Sequence, residues 1–425
     1  MLHSSLRLIL PLALILLTGI LMLYSVTSPV GSWGFDEDRS EYTIHRGFFH
    51  RQILWVGVGL CGLLFTSFLP FWIFKDYLSW ILYGLGLLVL ILILVFPPAR
   101  GGTHRWILIG PVGFQPSEFF KIVMIFMLSS YMAAQRISSP SRLVLGSLAL
   151  VLPPAVLVLQ QPDLGTAITF FWLLIPMLIW KGFALRRMLL LLAPLISALL
   201  VLYGQILGVE GFGLPHWIWM AFLTILLAQI FLYPEMGIPA RVTSFLTSIA
   251  SGLMVPFLWG LLLPYQQKRI HVFFDPDLDR LGAGYQIFQS KVALGSGGLT
   301  GRGFLEGTQK GLAFLPARHT DFIFSVLGEE FGFLGAMVLL AAYTLLIVEG
   351  IRIAARVRHP FGQLLSVGVS AYLLFHVFVN VAMTMGLAPV TGLPLPGVSF
   401  GGSVLISTCL LVGVQVNIAR NWRRY

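Results

Sequence analysis

The chain has 425 residues, of which 57% are hydrophobic and only 10% charged. Soluble domains carry about a quarter charged residues, so this composition excludes a protein whose whole surface faces water. The formal net charge is +10, but basic residues at the cytoplasmic ends of membrane helices explain such an excess, and we expect no nucleic-acid partner. Cys61 and Cys409 both lie in apolar runs, which indicates neither a disulfide nor a metal pair.

Long apolar runs divided by breaker residues predict an all-α fold, a polytopic transmembrane helical bundle of about twelve spans. Many such runs follow the first one, so we interpret the first as a retained span and not as a signal peptide. The predicted spans are 6–26, 52–72, 77–97, 116–134, 143–161, 165–181, 188–208, 216–233, 243–264, 321–349, 361–386 and 401–419.

The distribution of basic residues predicts the orientation. One set of short loops and the C-terminal tail hold most of the lysines and arginines, so these loops and both termini are predicted to be cytoplasmic. Long loops translocate largely regardless of charge, so basic residues in the opposite segments do not change this assignment. The opposite, extracytoplasmic side then carries the polar segments 27–51, 98–115 and 265–320, and a segment rich in proline and glycine, 387–400.

The first polar cluster surrounds the start of the fourth span. Arg105 precedes it, Ser117 is a candidate N-cap, and Glu118 and Lys121 are spaced to share one helical face. An isolated charge in a span costs roughly 2.5–3.5 kcal/mol, and pairing lowers that cost. The pair could simply hold two helices together, or it could also contact a substrate.

The second cluster is the segment 160–166. Pro162 limits helix continuation, and Gly165 allows a neighbouring backbone to come close. Asp163 could cap the next helix through Thr166, or it could be a carboxylate at the mouth of a membrane cavity.

The third cluster is the long segment 265–320, which contains Asp275, Asp277 and Asp279. The glycines of 295–303 would allow backbone amides to turn toward an anion, as in phosphate-binding nests. Four cations could neutralise a diphosphate: Lys291, Arg302, Lys310 and Arg318. A turn-rich connector with solvated charges is the simpler interpretation, but irregular segments of this length are usually functional. No phosphate-binding loop of the nucleotide-hydrolase type is present.

The fourth cluster is the segment 387–400 together with the residues that follow it. Prolines and glycines break the backbone there among apolar residues. Broken backbone at membrane depth is tolerated only against protein or a water-filled cavity, so we predict a re-entrant segment. An ordinary outer loop is the alternative.

Several of these motifs, in their order along the chain, resemble the SEDS family (RodA, FtsW and SpoVE). The motifs are Gly102-Thr103-His104-Arg105-Trp106, Gln115-Pro116-Ser117-Glu118, Gln161-Pro162-Asp163-Leu164-Gly165-Thr166, His319-Thr320-Asp321-Phe322-Ile323-Phe324, and Pro394-Leu395-Pro396 leading into Ser399-Phe400-Gly401-Gly402-Ser403. The RodA branch in particular is similar at Gln289-Ser290-Lys291, Gly295-Ser296-Gly297-Gly298-Leu299 and Gly307-Thr308-Gln309.

The resemblance implies a peptidoglycan glycosyltransferase that polymerises lipid II, an undecaprenyl-diphosphate-linked disaccharide pentapeptide, for cell elongation and rod shape. It implies the bacterial cytoplasmic membrane as location and a class B penicillin-binding transpeptidase as partner. The essential aspartate of the family falls on Asp275, and its buried Glu and Lys fall on Glu118 and Lys121.

This sequence departs from the family pattern in three ways. Ala317 stands where the family commonly has Glu, and Phe400 stands where it has Tyr. The family usually has ten spans, so we predict that residues 209–243 of the single membrane domain 1–425 are an inserted helical hairpin. The large loop 265–320 would still face outward, because the parity of the spans is unchanged.

For the implied reaction we predict Asp275 as the catalytic general base. A divalent cation, Mg²⁺ or Mn²⁺, could help to neutralise the diphosphate, although no spacing names its ligands; no organic cofactor is expected. Two other functions remain open, a lipid II flippase and a non-catalytic scaffold of the cell-wall synthesis complex. The predicted substrate-binding residues are Arg105, Glu118, Lys121, Asp163, Lys291, Ser296, Arg302, Arg318, His319, Asp321 and Ser399.

Overall fold

The structure is a computed structural model, and it divides the chain into two compact units. Unit 1 comprises residues 1–181 and 286–425, and unit 2 comprises residues 182–285. Asp275 and its neighbours 276–283 lie outside the described residues. The structure describes residues 2–28, 39–75, 77–95, 105–109, 112–135, 140–206, 214–232, 237–261, 267, 271–272, 274, 284–307 and 318–421.

Helices make up nearly all of the described structure. Ten of them are long and apolar enough to cross a membrane, and Leu164–Trp180 and His216–Gln229 are shorter apolar helices. Together they account for the predicted spans, and the all-α prediction is confirmed. The helices are α1 Leu2–Thr27, α2 Arg39–Phe68, α3 Tyr77–Val95, α4 Pro116–Ala134, α5 Pro140–Gln160, α6 Leu164–Trp180, α7 Leu185–Ile206, α8 Leu214–Leu232, α9 Ile238–Leu261, α10 Tyr285–Gly297, α11 Ile323–Arg356, α12 Pro360–Thr384 and α13 Gly402–Asn421.

Short elements complete unit 1. A 3-10 helix spans Phe71–Phe74, and the strands β1 Ile107–Ile109 and β2 Val112–Phe114 form an antiparallel pair. Helices α12 and α13 form the centre of the unit. In each of them 83% of the residues in the apolar stretch are buried, compared with 22% in α3. Cys61 is exposed on α2 and Cys409 is buried on α13, and both are free thiols.

The predicted large loop 265–320 is partly helical. Helix α10 buries Ile287, Ser290, Ala293 and Gly297, which recur at intervals of three or four residues. A turn-rich connector, the simpler interpretation of the segment, therefore does not describe residues 285–297. The assignment of the whole segment 265–320 as an extracytoplasmic catalytic loop stays a prediction.

A glycine-rich turn fills a break in α11. Gly332 has φ +64° and ψ −164°, so the helix is interrupted there. The carbonyl and amide groups freed by the break need partners, because unpaired backbone groups are costly in an apolar setting. The turn supplies them through hydrogen bonds from Phe333 N to Gly298 O (2.9 Å), Leu334 N to Leu299 O (3.1 Å), Arg302 N to Glu329 O (3.0 Å) and Gly303 N to Glu330 O (3.1 Å).

Unit 2 contains α7, α8 and α9, which are joined by serine hydroxyls. Pro194 lies inside α7 and has no N–H, so the carbonyl of Leu190 loses its helical donor. The Ser244 hydroxyl on α9 donates to that carbonyl at 2.6 Å. The Ser197 hydroxyl donates to Ser248 O at 2.5 Å and accepts from the indole N–H of Trp219 at 2.7 Å. Helix α8 lies within the predicted inserted hairpin, whose status as an insertion stays a prediction.

Candidate active site

A buried ion pair lies on α4. The Lys121 ammonium is 2.7 Å from Glu118 Oε1, and the two side chains are 0% and 2% exposed. Their spacing along the helix brings them together, so the predicted pairing is confirmed. The second oxygen, Glu118 Oε2, is also buried and has no hydrogen-bond partner among the residues that the structure describes.

The start of α4 differs from the prediction. The helix begins at Pro116, whose missing N–H is not needed at that position, and Gln115 is the N-cap residue without a side-chain capping bond. Ser117 therefore lies inside the first turn, and its prediction as the cap is wrong. The Gln115 amide donates both to Ser117 Oγ and to Asp163 Oδ2 at 3.2 Å, which links α4 to the 160–166 segment.

Asp163 caps α6 as predicted. Its Oδ1 accepts from Thr166 N at 3.1 Å, while its Oδ2 accepts from Gln115. A Cβ on Gly165 would lie only 2.6 Å from Leu393 Cγ and 3.0 Å from Thr391 O. The predicted close approach at this glycine is thus confirmed, and the approaching backbone belongs to the 387–400 segment.

The irregular segment 387–400 is packed inside unit 1. Leu393, Leu395 and Val398 are at most 2% exposed, which agrees with the predicted packing against protein. Gly397 has φ +84°, and its carbonyl packs against Gly19 of α1, where a Cβ would collide with it.

Two polar side chains fasten this segment to residues 319–321. The Ser399 hydroxyl donates to Thr320 O at 2.6 Å and accepts from Leu395 N at 2.8 Å. The Asn380 amide on α12 donates to Asp321 O at 3.0 Å and to Leu393 O at 2.8 Å. Ser399 was predicted to bind substrate, and the structure gives its hydroxyl a clamping role. Asn380 was missed, although a lone amide in an apolar run could have marked it.

His319 and Asp321 are the chain neighbours of Thr320, whose carbonyl accepts from Ser399. The His319 ring stacks on Phe48 of α2 with centroids 4.8 Å apart, and Phe400 N donates to His319 O at 2.8 Å. The Asp321 carboxylate lies near Gly392, with Oδ2 3.8 Å from the position of a Cβ there. Burial raises the pKa of Asp321 to about 6, and a hydrogen bond with Thr320 opposes the rise.

The glycine-rich turn does not form the predicted anion nest at three of its amides. Gly301 N donates to Gly297 O at 2.8 Å, and the amides of Arg302 and Gly303 donate to carbonyls of α11. That part of the prediction is wrong because the break near Gly332 takes the amides of Arg302 and Gly303, and the Gly301 amide bonds back to Gly297. The Ser296 hydroxyl donates to Ala293 O at 2.9 Å within its own helix.

The predicted cations lie in different surroundings. The Arg105 Nε–H donates to Gln161 O at 2.6 Å, next to the Asp163 cap. Lys291 is exposed and its ammonium lies against Gly386, where a Cβ would come within 2.8 Å of it. The exposed Arg302 donates to Ser296 O at 3.4 Å, and Arg318 is partly buried.

The structure thus brings most of the polar motifs into one contiguous part of unit 1. The Glu118–Lys121 pair follows Gln115 on α4. Gln115 donates to Asp163, Arg105 donates to Gln161 O beside that cap, and Gly165 packs against the 387–400 segment. The segment in turn holds residues 319–321. His376 was missed by the sequence analysis, and it lies 3.2 Å from the Lys121 ammonium. In the parts of the chain that the structure describes, no three His, Cys, Asp or Glu residues group as metal ligands would.

Sequence comparison places the chain among known proteins. The family model described as "Cell cycle protein", FtsW/RodA/SpoVE, matches residues 6–212 and 216–424. Peptidoglycan glycosyltransferase MrdB of Escherichia coli K12 is 36% identical over 374 residues, covering 88% of this chain and 85% of that protein. Peptidoglycan glycosyltransferase RodA of Treponema pallidum is 34% identical over 427 residues, covering 96% of each chain.

A solved structure has the same fold. Its description reads "Structural coordination of polymerization and crosslinking by a peptidoglycan synthase complex". The two chains superpose with a TM-score of 0.68 at 27% sequence identity, and the match covers 98% of each. The apolar helices and these relatives make the present chain a multi-pass membrane protein. On the extent of the sequence match, this chain belongs to the FtsW/RodA/SpoVE family.

Proposed function

We propose that the chain is a RodA-like peptidoglycan glycosyltransferase that polymerises lipid II into glycan strands for cell elongation and rod shape. Its relatives in E. coli and T. pallidum carry the name of that activity. The site would face the extracytoplasmic side of the bacterial cytoplasmic membrane, as the distribution of basic residues predicts.

The observation that carries this proposal is the buried Lys121 ammonium. A charge in a membrane-spanning helix is costly, and such groups mark functional sites by default. Glu118 offsets the charge, and His376 links Lys121 to Pro394 O of the 387–400 segment. A fixed cation in an apolar surrounding is suited to an anionic group such as a diphosphate, because the low dielectric strengthens the attraction.

In the proposed reaction, the 4-hydroxyl of one lipid-linked GlcNAc attacks the anomeric carbon of a second lipid-linked sugar. A new glycosidic bond forms, and the bond from that carbon to the diphosphate oxygen breaks and releases polyprenyl diphosphate. A sugar hydroxyl is a weak nucleophile, so a general base must take its proton. Asp275, which lies outside the described residues, is proposed for that role.

The other predicted residues would bind and orient the two substrates. The cations would offset the charge on the departing diphosphate, and the Asp163 cap and the Ser399 clamp would hold the surrounding backbone. A divalent cation, Mg²⁺ or Mn²⁺, remains part of the proposal, and diphosphate oxygens would supply most of its ligands. The residues that would offset charge are Arg105, Lys121, Lys291, Arg302 and Arg318.

A class B penicillin-binding transpeptidase is the proposed partner. The similar solved structure belongs to a peptidoglycan synthase complex, which supports an assembly of this kind. The glycan made by one protein would then be crosslinked by the other.

The test uses purified full-length protein with a class B transpeptidase, in detergent, supplied with labelled lipid II. We expect glycan strands on a gel from the unmodified chain and none from Asp275→Asn. Asp279→Asn is the matched control in the same segment, and it is expected to retain polymerisation.

Two results would contradict the proposal. Glycan strands from Asp275→Asn at the unmodified rate would remove Asp275 from the chemistry. If the unmodified chain in vesicles moved labelled lipid II across the bilayer and made no glycan, the flippase function would replace the polymerase.

A further inference from the structure

His376 lies between the buried ion pair and the irregular segment. It is fully buried on α12, with Nε2 3.2 Å from Lys121 Nζ and Nδ1 3.4 Å from Pro394 O. The ring also lies on Tyr372, one helical turn earlier, with centroids 4.4 Å apart. Both ring nitrogens therefore face a polar atom, while both ring faces and edges are enclosed by protein.

The partners determine which nitrogen carries the proton. An ammonium group can only donate hydrogen bonds, so Nε2 must accept from Lys121 with its lone pair. A carbonyl can only accept, so the proton lies on Nδ1 and points to Pro394 O. His376 is therefore a neutral imidazole in one tautomer, since a second proton would face the ammonium directly.

This arrangement limits the directions in which Lys121 can point. One ammonium proton is directed to Glu118 Oε1 at 2.7 Å and another to His376 Nε2. The Tyr372 ring lies on a further side, with its centroid 5.9 Å from Nζ. With two of its three protons directed in this way, the third has a defined orientation.

His376 also connects the Lys121 ammonium to the 387–400 segment, which packs against Gly165 of α6. Pro394 follows Leu393, which packs on Gly165 and accepts from Asn380. A shift of the 391–395 backbone would therefore be transmitted through one ring to the ammonium group.

We propose that His376 is a positioning residue for the glycosyl transfer, because it directs the Lys121 ammonium and fixes it to Pro394. This role rests on the proposed function, in which Lys121 offsets charge on the diphosphate. His376 touches no substrate itself, so its loss should lower kcat and leave KM for lipid II nearly unchanged, as expected when alignment rather than binding is lost.

The test compares three variants. His376→Leu removes both hydrogen bonds, and His376→Gln keeps an acceptor for Lys121 and a donor for Pro394 O. Trp180→Phe is the matched control, because the Trp180 indole donates to Gln363 Oε1 at 3.4 Å in the first turn of α12. We expect kcat to fall about tenfold to a hundredfold for His376→Leu, with recovery in His376→Gln and little change in Trp180→Phe.

A second measurement does not depend on activity. Amide hydrogen exchange of the peptide covering 391–400 should increase in His376→Leu and stay unchanged in His376→Gln and Trp180→Phe. An unchanged kcat in His376→Leu, or equal losses in His376→Leu and His376→Gln, would overturn the proposal. If the unmodified chain made no glycan, the proposed function would fail, and the exchange of 391–400 would still decide whether His376 holds that segment.

Discussion

The helices of unit 1 and unit 2 solve the problem of polar groups among apolar helices in different ways. In unit 2, the hydroxyls of Ser197 on α7 and Ser244 on α9 donate to carbonyls of the facing helix, and we call these two bonds the serine seam. One of the carbonyls, Leu190 O, is left without its helical donor by Pro194. Unit 1 also has hydroxyl donors of this kind, such as Ser366 to Gly350 O at 2.8 Å, but in addition it buries the charged pair Glu118–Lys121 and links it to His376. The serine seam satisfies backbone carbonyls, whereas the Lys121 ammonium bonds to the side chains of Glu118 and His376.

This difference distinguishes polar groups that stabilise the fold from polar groups that we assign to the reaction. A hydrogen bond between membrane helices contributes about 0.6 kcal/mol on average, at little desolvation cost. A buried ion pair is often no more stabilising than apolar side chains of the same volume, although removing one partner is strongly destabilising. The presence of the charged pair is therefore better explained by the reaction than by stability. The following substitutions test that contrast.

The largest expected effect is that of Lys121→Met. It leaves the Glu118 carboxylate buried without its cation, which should lower the free energy of unfolding by about 3–5 kcal/mol and abolish polymerisation. The double variant Glu118→Gln with Lys121→Met removes both charges and should recover most of the stability and none of the activity. Thermal unfolding in detergent and the lipid II assay measure the two quantities.

One result would contradict this prediction. If the double variant polymerised lipid II as the unmodified chain does, the pair would be structural, like the serine seam, and the proposed role of Lys121 would be wrong.

The second prediction concerns the backbone repair within unit 1. Gly301 has φ +84° and a Cβ there would overlap Glu330 O, so Gly301→Ala should lower the free energy of unfolding by about 2–4 kcal/mol. Gly298 has φ +54° but open space around it, so Gly298→Ala should cost only about 1 kcal/mol. Equal losses, measured by thermal unfolding, would mean that the turn is not fastened to α11 as described.

The sequence predicts the parts of this molecule that depend on local spacing. Apolar runs of about twenty residues predict the spans, and a separation of three positions predicts the Glu118–Lys121 pair. The Asp163 cap is similarly local, since its acceptor serves an amide three residues later.

Contacts between distant residues were not predictable in this way. His376 lies 255 positions from Lys121 in the sequence, and neither residue type nor spacing connects them. The glycines of 295–303 predict an anion nest, and the break near Gly332 that uses the amides of Arg302 and Gly303 becomes visible only in three dimensions.

The third prediction uses the titration of Asp321. Its pKa in the folded protein is about 6, above the value of about 3.9 in an unfolded chain, because burial favours the protonated form. Its contribution to stability is therefore complete below about pH 4 and is lost as the pH rises through 6. Asp321→Asn should remove this dependence, making the unfolding free energy change less between pH 4 and 7, by about 1–2 kcal/mol after allowance for solvent screening.

The control for Asp321→Asn is Glu306→Gln, which changes an exposed carboxylate in the same unit. Unfolding profiles of the two variants at several pH values give the comparison. A profile of Asp321→Asn identical to that of the unmodified protein would show that this carboxyl does not titrate near pH 6.

The smallest expected effect lies in unit 2. Ser244→Ala removes the donor to Leu190 O and leaves that carbonyl without its helical partner, because Pro194 has no N–H. We expect a loss of about 1 kcal/mol in the free energy of unfolding and an unchanged rate of polymerisation. Thr247→Ala on the same helix is the control, because the exposed Thr247 hydroxyl donates within α9 to Thr243 O, and it should change neither quantity. A loss of polymerisation in Ser244→Ala without a loss of stability would mean that the seam takes part in the reaction, and the contrast between the two units would no longer hold.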